Sequence, residues 1–197
     1  MGVTERIASG MFLPTRLIAT IGLPFSGKST LSQELADLLP AERIELDRVL
    51  GEEAGAYDHA PRAWIERYRR AHARIEDLLA AGEPVVFDSV NHTRRQRDRL
   101  RSLAARQGSS VRFVWMDTPL DVIRARMARN LVAPTRPNLT SAQFDEIAQG
   151  FEPPDDEADV LVYDGTIPLH RWAAELADAL SLGDGLRTDG GLAFRRC

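Results

Sequence analysis

Residues 22–30 read GLPFSGKST, and Gly22–Ser29 fit the spacing G-x-x-x-x-G-K-[ST]. That spacing makes a loop whose backbone N–H groups wrap a polyphosphate at the N-terminus of the helix that follows. Gly22, Pro24, Phe25, Ser26, Gly27 and Thr30 are the remaining nucleotide-contacting positions of the loop. Lys28 is placed for the β- and γ-phosphates, and the Ser29 hydroxyl for Mg²⁺. Lys28 is the only lysine in the chain; arginine fills every other Lys/Arg position. The compact ammonium of lysine and the planar fork of arginine are not interchangeable, so the exception has a chemical reason at a tight phosphate loop.

The motif requires a strand before it and a helix after it, and the flanking sequence supplies both. The apolar run RLIATIG (16–22) leads in, and a helical pattern over Ser29–Leu39 leads out. Four more short runs follow: ERIELD (42–47), PVVFD (84–88), VRFVWMD (111–117) and DVLVYD (159–164). The middle runs are apolar on both faces, as in strands of a parallel sheet covered by helices. Helical patterns lie between them, over Pro61–Ala81, Thr93–Gln107, Thr118–Asn130, Thr140–Gln149 and Leu169–Leu182. Thr118–Pro119 reads as a capping residue followed by proline at the first helical position. Alternating strands and helices of this length give a single α/β domain over 15–182. Residues 1–14 and the tail 183–197 are expected to be mobile. All five runs end in Gly or Asp, which gathers polar groups at the edge where open α/β sheets bind ligands.

Composition excludes several classes. The 197-residue chain has a formal net charge of −4, against bulk electrostatic binding to nucleic acid. No apolar run is long enough to span a membrane, and the first residues have no secretory h-region. The single cysteine, Cys197, is the last residue and forms no internal disulfide. These features fit a cytoplasmic protein with no membrane partner. His59, His72, His92 and His170 are too dispersed for a metal cluster. The basic run TRRQRDRLR, with Arg94, Arg97 and Arg101, reads as a solvated helix flank interrupted by Asp98. Trp64 and Tyr68 read as core.

Four stretches carry a family resemblance: GLPFSGKST, the strand end LDR, VVFDSVNHTRRQRDRL and DTPLDVIRARMARN. Over about residues 16–170 the chain resembles the small P-loop kinases related to phage polynucleotide kinase, zeta-toxin-like kinases and chloramphenicol phosphotransferase. The resemblance implies a three-layer P-loop kinase-like fold with a five-stranded parallel sheet in the order 2-3-1-4-5. It implies ATP and Mg²⁺ as cofactors and transfer of the γ-phosphoryl group to a hydroxyl. Asp47 would be the catalytic base, accepting the proton of an alcohol that grows more acidic as its bond to phosphorus forms. Asp88 would hold Mg²⁺ or orient the acceptor, with Arg48 and Asn91 on the acceptor side. A lid at about 124–139 would bring an arginine to the phosphoryl group, Arg126 first and Arg129 second, with Arg136 at its tip. Gly165 and Thr166 would lie beside adenine. Two departures stand out: Phe25 occupies a position that is commonly glycine, and Leu50 one that is often arginine.

The expected acceptor is a small hydroxyl-bearing molecule. A 5′-hydroxyl nucleic-acid end is the alternative, and a non-kinase regulatory protein that binds or hydrolyses nucleotide is the rival from another class. Residues 51–62 would wall the acceptor pocket. Nothing in the sequence indicates the oligomeric state.

Overall fold

A computed structural model of the chain describes residues 14–50, 61–136, 138–181 and 195–196. Strand β1 (Thr15–Ile21) runs into the glycine loop and helix α1 (Lys28–Leu38) leaves it. There follow β2 (Glu42–Glu45), a 3-10 turn (Leu46–Arg48), α2 (Pro61–Ala80), β3 (Val85–Asp88) and α3 (Arg94–Arg106). The chain continues through β4 (Ser110–Met116), α4 (Leu120–Val132), α5 (Ser141–Gln149), β5 (Val160–Tyr163), α6 (Leu169–Ser181) and β6 (Arg195–Arg196). Strands β1 to β5 are parallel in the order 2-3-1-4-5, as expected. A sixth strand, outside that expectation, pairs antiparallel with β5 through Arg195 and Arg196. Residues 1–13, the rest of the tail, and positions 51–60 of the expected pocket wall lie outside the described residues.

Strand periodicity sorts the core into two layers, because successive side chains point to opposite faces. Leu17, Ala19 and Ile21 of β1 join Val85, Phe87 and Phe113 against Ala71, Ile75 and Leu79 of α2 and Leu100 and Leu103 of α3. Ile18, Val86, Val114 and Leu161 face the other way, onto Leu31 and Leu35 of α1 and Trp172 and Leu176 of α6. Each such buried side chain stabilises by about 1.5–3 kcal/mol. The three layers hold the C-terminal ends of five parallel strands in one row, and that row is where the site is built.

Three local expectations need correction. Strand β2 stops at Glu45, and Leu46–Arg48 turns away as a 3-10 segment, so Asp47 stands beyond the sheet edge. Helix α4 begins at Leu120 with Pro119 as its N-cap; Thr118 does not cap it, because its hydroxyl donates to the Ser26 carbonyl at 2.9 Å. The basic run on α3 is not a uniformly solvated flank. Arg97 is 1% exposed and donates to both carboxylate oxygens of Glu157, with its Nη1 on the Asn91 carbonyl at 3.0 Å. Arg101 bonds Asp98, Asp159 and Glu157. The acidic segment 152–159 closes over α3, and its carboxylates replace solvent.

Candidate active site

The glycine loop depends on two unusual backbone positions and one strained one. Gly22 has φ 146°, and a Cβ there would meet Ser26 Oγ at 2.8 Å and the Met116 carbonyl at 3.2 Å. Gly27, at φ 108°, is the N-cap of α1 and offers no side-chain cap to that helix's first turn. Phe25 has φ 65°, the left-handed region that glycine enters freely. For a bulky residue that conformation costs about 1–3 kcal/mol. Burial of the ring offsets it: Phe25 is 7% exposed and packs with Ile123 of α4 and Phe144 of α5. The departure from glycine therefore ties the loop to helices α4 and α5.

Lys28 is 7% exposed, and its Nζ donates to the Leu23 carbonyl at 2.7 Å. Burial lowers its pKa from 10.5 to about 8, with Arg136 acting the same way and Asp88 and Asp47 opposing. The ammonium is thus held at a desolvation cost, and a phosphate oxygen would relieve it. Arg126 of α4 lies on the same loop, its Nη1 donating to the carbonyls of Phe25 (3.0 Å) and Ser26 (2.9 Å).

Asp88, at the end of β3, accepts at Oδ2 from Ser32 Oγ (3.1 Å) and from Arg43 Nη2 (3.0 Å). Arg43, on β2, also reaches Glu45 Oε1 at 2.7 Å and the Ser29 carbonyl at 3.2 Å. The sequence reading missed this arginine. Its only signal is a charge inside a strand that the helices should cover. Asp47 is half exposed, with Arg136 Nη2 at 4.0 Å from its Oδ2. Arg136 also lies over the Phe25 ring, 4.7 Å from its centroid.

Two cavities open along the strand ends. One, of about 860 Å³, is lined by the glycine loop, Thr30, Arg126, Arg129, Tyr163 and Gly165. The other, of about 530 Å³, is lined by Pro24, Lys28, Asp47, Asp88, Trp64 and Tyr68, among others. Phe25, Ser29 and Arg136 line both and form the partition between them. Trp64 and Tyr68 pack against the core as expected, yet they also wall the second cavity.

The remaining candidates fall elsewhere. Asn91 is 1% exposed, and its side chain donates inward to the Thr20 carbonyl at 2.8 Å. It braces β1 and does not line the second cavity. Arg48 is 77% exposed, lies 3.6 Å from Glu45, and is outside that cavity. Thr166 donates its N–H to Asp164 Oδ1 at 3.0 Å and does not line the first cavity, whereas Gly165 does. Gly22 supports the loop through its N–H on the Val90 carbonyl at 3.1 Å.

The donor set fits Mg²⁺. Ser29 and Asp88 place one hydroxyl and one carboxylate on the same rim. Among the described residues there is no cluster of three or more His, Cys, Asp or Glu that could hold a metal by itself. Few protein oxygens suit a cation that keeps waters and binds through phosphates. Among the described residues no helix is long and apolar enough to cross a membrane.

Comparison with known proteins bears on the family and the fold. The AAA_33 model, described as an AAA domain, matches residues 17–154. A gluconokinase from Sinorhizobium meliloti 1021 superposes with a TM-score of 0.60 at 23% identity, over 87% of this chain and 94% of that one. The Mycobacterium tuberculosis APS kinase CysC, solved with AMPPNP and APS, gives 0.65 at 21% identity, over 85% and 98%. Chaetomium thermophilum Kti12, solved with ADP-AlF3, gives 0.67 at 17% identity, over 83% and 98%. At these identities the likeness shows the fold, which is that of P-loop kinases. No curated protein sequence matches.

Proposed function

The chain belongs to the AAA_33 family, and from that membership we propose that it is a kinase moving the γ-phosphoryl of ATP to a hydroxyl of a small molecule. One observation carries the reading: two cavities meet at a partition of Phe25, Ser29 and Arg136, with Lys28 and Asp47 lining the second cavity beside it. A donor and an acceptor would be brought together there, which is what in-line transfer requires.

The larger cavity takes the nucleotide, its polyphosphate wrapped by the loop amides, with Gly165 and Tyr163 toward the base. Lys28 exchanges the Leu23 carbonyl for phosphate oxygens. Arg126 and Arg129 face the same space and offset charge on the phosphoryl oxygens; Arg136 does so from the partition. Asp47 accepts the proton of the attacking hydroxyl. Ser29 and Asp88 would hold Mg²⁺, which when bound would supply charge neutralisation for the transfer. Phe25 and Arg136 close the junction against water.

For the alternative acceptor, a 5′-hydroxyl nucleic-acid end, the arginines of α3 would be the cations available to the backbone. Arg94, Arg97 and Arg101 are engaged with Asp156, Glu157 and Asp159, which leaves that alternative less supported.

The test is Asp47→Ala. Transfer from labelled ATP to acceptors should fall by about 10²- to 10⁴-fold, while MgATP binding by calorimetry stays unchanged. Unchanged transfer would remove Asp47 as the base. Acceptor-independent hydrolysis that survives the substitution would favour a regulatory nucleotide-binding protein, and efficient labelling of a 5′-hydroxyl oligonucleotide would favour the nucleic-acid end.

A further inference from the structure

We propose that the acceptor is an uncharged alcohol carrying an aromatic or heteroaromatic ring, held between α2 and α5 with its hydroxyl toward Asp47. The inference rests on the kinase reading above and names the substrate class of its second cavity.

Size and shape come first. A cavity of about 530 Å³ is the scale of small-molecule sites. Its α2 wall is Trp64 and Tyr68, one helical turn apart, both seated on the apolar layer beneath and so held in place. Leu139 and Ile147 of α5 line it as well. Two rings and two aliphatic side chains make an apolar slot for a planar body.

Two of the polar side chains in the slot are neutral amides. Gln96 and Gln143 line it, and each is the third residue of a helix whose N-cap threonine it braces. Their carbonyl oxygens are taken by the N–H groups of Thr93 (3.2 Å) and Thr140 (2.9 Å), so each amide presents its NH₂ end. Gln96 Nε2 donates to the Tyr68 hydroxyl at 3.1 Å. Gln143 Nε2 is left for a ligand acceptor atom. The same two capping boxes answer donors in the first turns of α3 and α5, which weakens their pull on an anion.

Charge decides against an anionic acceptor. The carboxylates lining the cavity are Glu45, Asp47, Asp88 and Glu146. Of its lysine and arginine, Arg136 is part of the partition where the phosphoryl group passes and Lys28 lies beside it. Arg43 is engaged with Asp88 and Glu45. The far wall therefore offers Glu146 and no lysine or arginine among the described residues. A phosphate, sulfate or carboxylate on the distal end of the acceptor would meet like charge without a counter-ion.

The experiment uses the full chain with MgATP and three sets of alcohols: nucleosides and aryl alcohols, ring-free neutral sugars, and anionic alcohols such as gluconate, sugar phosphates and adenosine 5′-phosphosulfate. Phosphorylation is read by mass. The first set should exceed the second by about tenfold and the third by about a hundredfold. With a non-hydrolysable ATP analogue, members of the first set should quench tryptophan fluorescence, and Trp64→Phe should remove that signal while keeping a ring. Gln143→Arg should shift the preference toward the anionic set. Equal or faster turnover of the ring-free or anionic set overturns the acceptor class and leaves the kinase reading standing. Turnover of no member also overturns it, and if calorimetry then shows no MgATP binding, the kinase reading falls with it.

Discussion

The two cavities share a partition but are built in different ways. The larger one takes its loop from a continuous stretch, Phe25 to Thr30, with α4 and the β5 end alongside. The smaller one gathers single side chains from the 3-10 turn, α2, the end of β3, α3 and α5. A site made mainly of backbone follows from local spacing, because glycines and one helix start place every donor. A site made of side chains from distant segments follows from packing, and its chemistry is free to vary while the fold stays constant. That difference explains how a phosphate-binding loop can be shared widely while acceptors diverge.

The comparison can be broken first through the scaffold beneath both cavities. The buried Arg97–Glu157 pair also holds the Asn91 carbonyl, and Asn91 in turn holds Thr20 of β1. Burial alone would raise the Glu157 carboxyl; the bonds from Arg97 and Arg101 overcome it and keep the pKa below the ordinary value. Glu157→Gln leaves Arg97 buried without its counter-charge and should cost about 3–5 kcal/mol in urea unfolding. Loss of one cavity's ligand binding with stability intact would separate the two regions more sharply than the structure does.

On the donor side, Lys28→Arg should lower turnover by about 10²- to 10³-fold and weaken MgATP binding, although charge is kept. Full activity would show that charge, not shape, is all the loop requires. At the partition, Phe25→Ala should destabilise more than Phe25→Gly. Both lose the ring, but only glycine also sheds the backbone strain of about 1–3 kcal/mol. The reverse order in thermal melts would refute the strain at φ 65°.

The smallest effects are those of pH, and they fall in different pH windows in the two regions. Lys28, with its pKa lowered by burial to about 8, loses its ammonium as pH rises through that value, so MgATP affinity should fall there. Stability should move the other way between 8 and 10.5, where the unfolded chain holds a proton that the folded one has released. His72 is packed beside Tyr68 and Phe87, under the acceptor wall, and burial, aided by Arg99 and opposed by Glu76, lowers its pKa to about 4. A folded pKa below the ordinary 6.5 means that stability is lost as pH falls from about 6.5 to 4. His72→Phe should blunt the acid limb of the stability profile. A profile unchanged by that substitution would show that His72 does not set it.

Much of the fold was legible in the chain, and the reasons are local. Each apolar run ended where a strand ends or within about two residues of it, because Gly and Asp do terminate parallel strands at a ligand edge. The exceptions came from contacts across the sequence. Thr118 looked like a helix cap until Ser26, far earlier in the chain, took its hydroxyl. Arg97 looked solvated until Glu157 covered it. In the site, Lys28, Ser29, Asp47 and Asp88 were expected from motif and strand ends, and all four line the second cavity. Arg43, Gln96 and Gln143 were not, because a charged strand residue and two capping glutamines have ordinary structural explanations.

By itself the sequence determined the strand-loop-helix that binds phosphate, the α/β alternation and the carboxylates at the strand ends. These depend on residues within one turn of each other, where spacing along the chain is spacing in space. Packing of the layers settles which arginines are paired with carboxylates, that Arg136 and Phe25 line both cavities, and that the second cavity is walled by rings and amides. Those outcomes turn on pairs some 60 to 110 residues apart, Arg97 with Glu157 and Phe25 with Arg136, brought together when the layers pack. No local pattern in the chain records them.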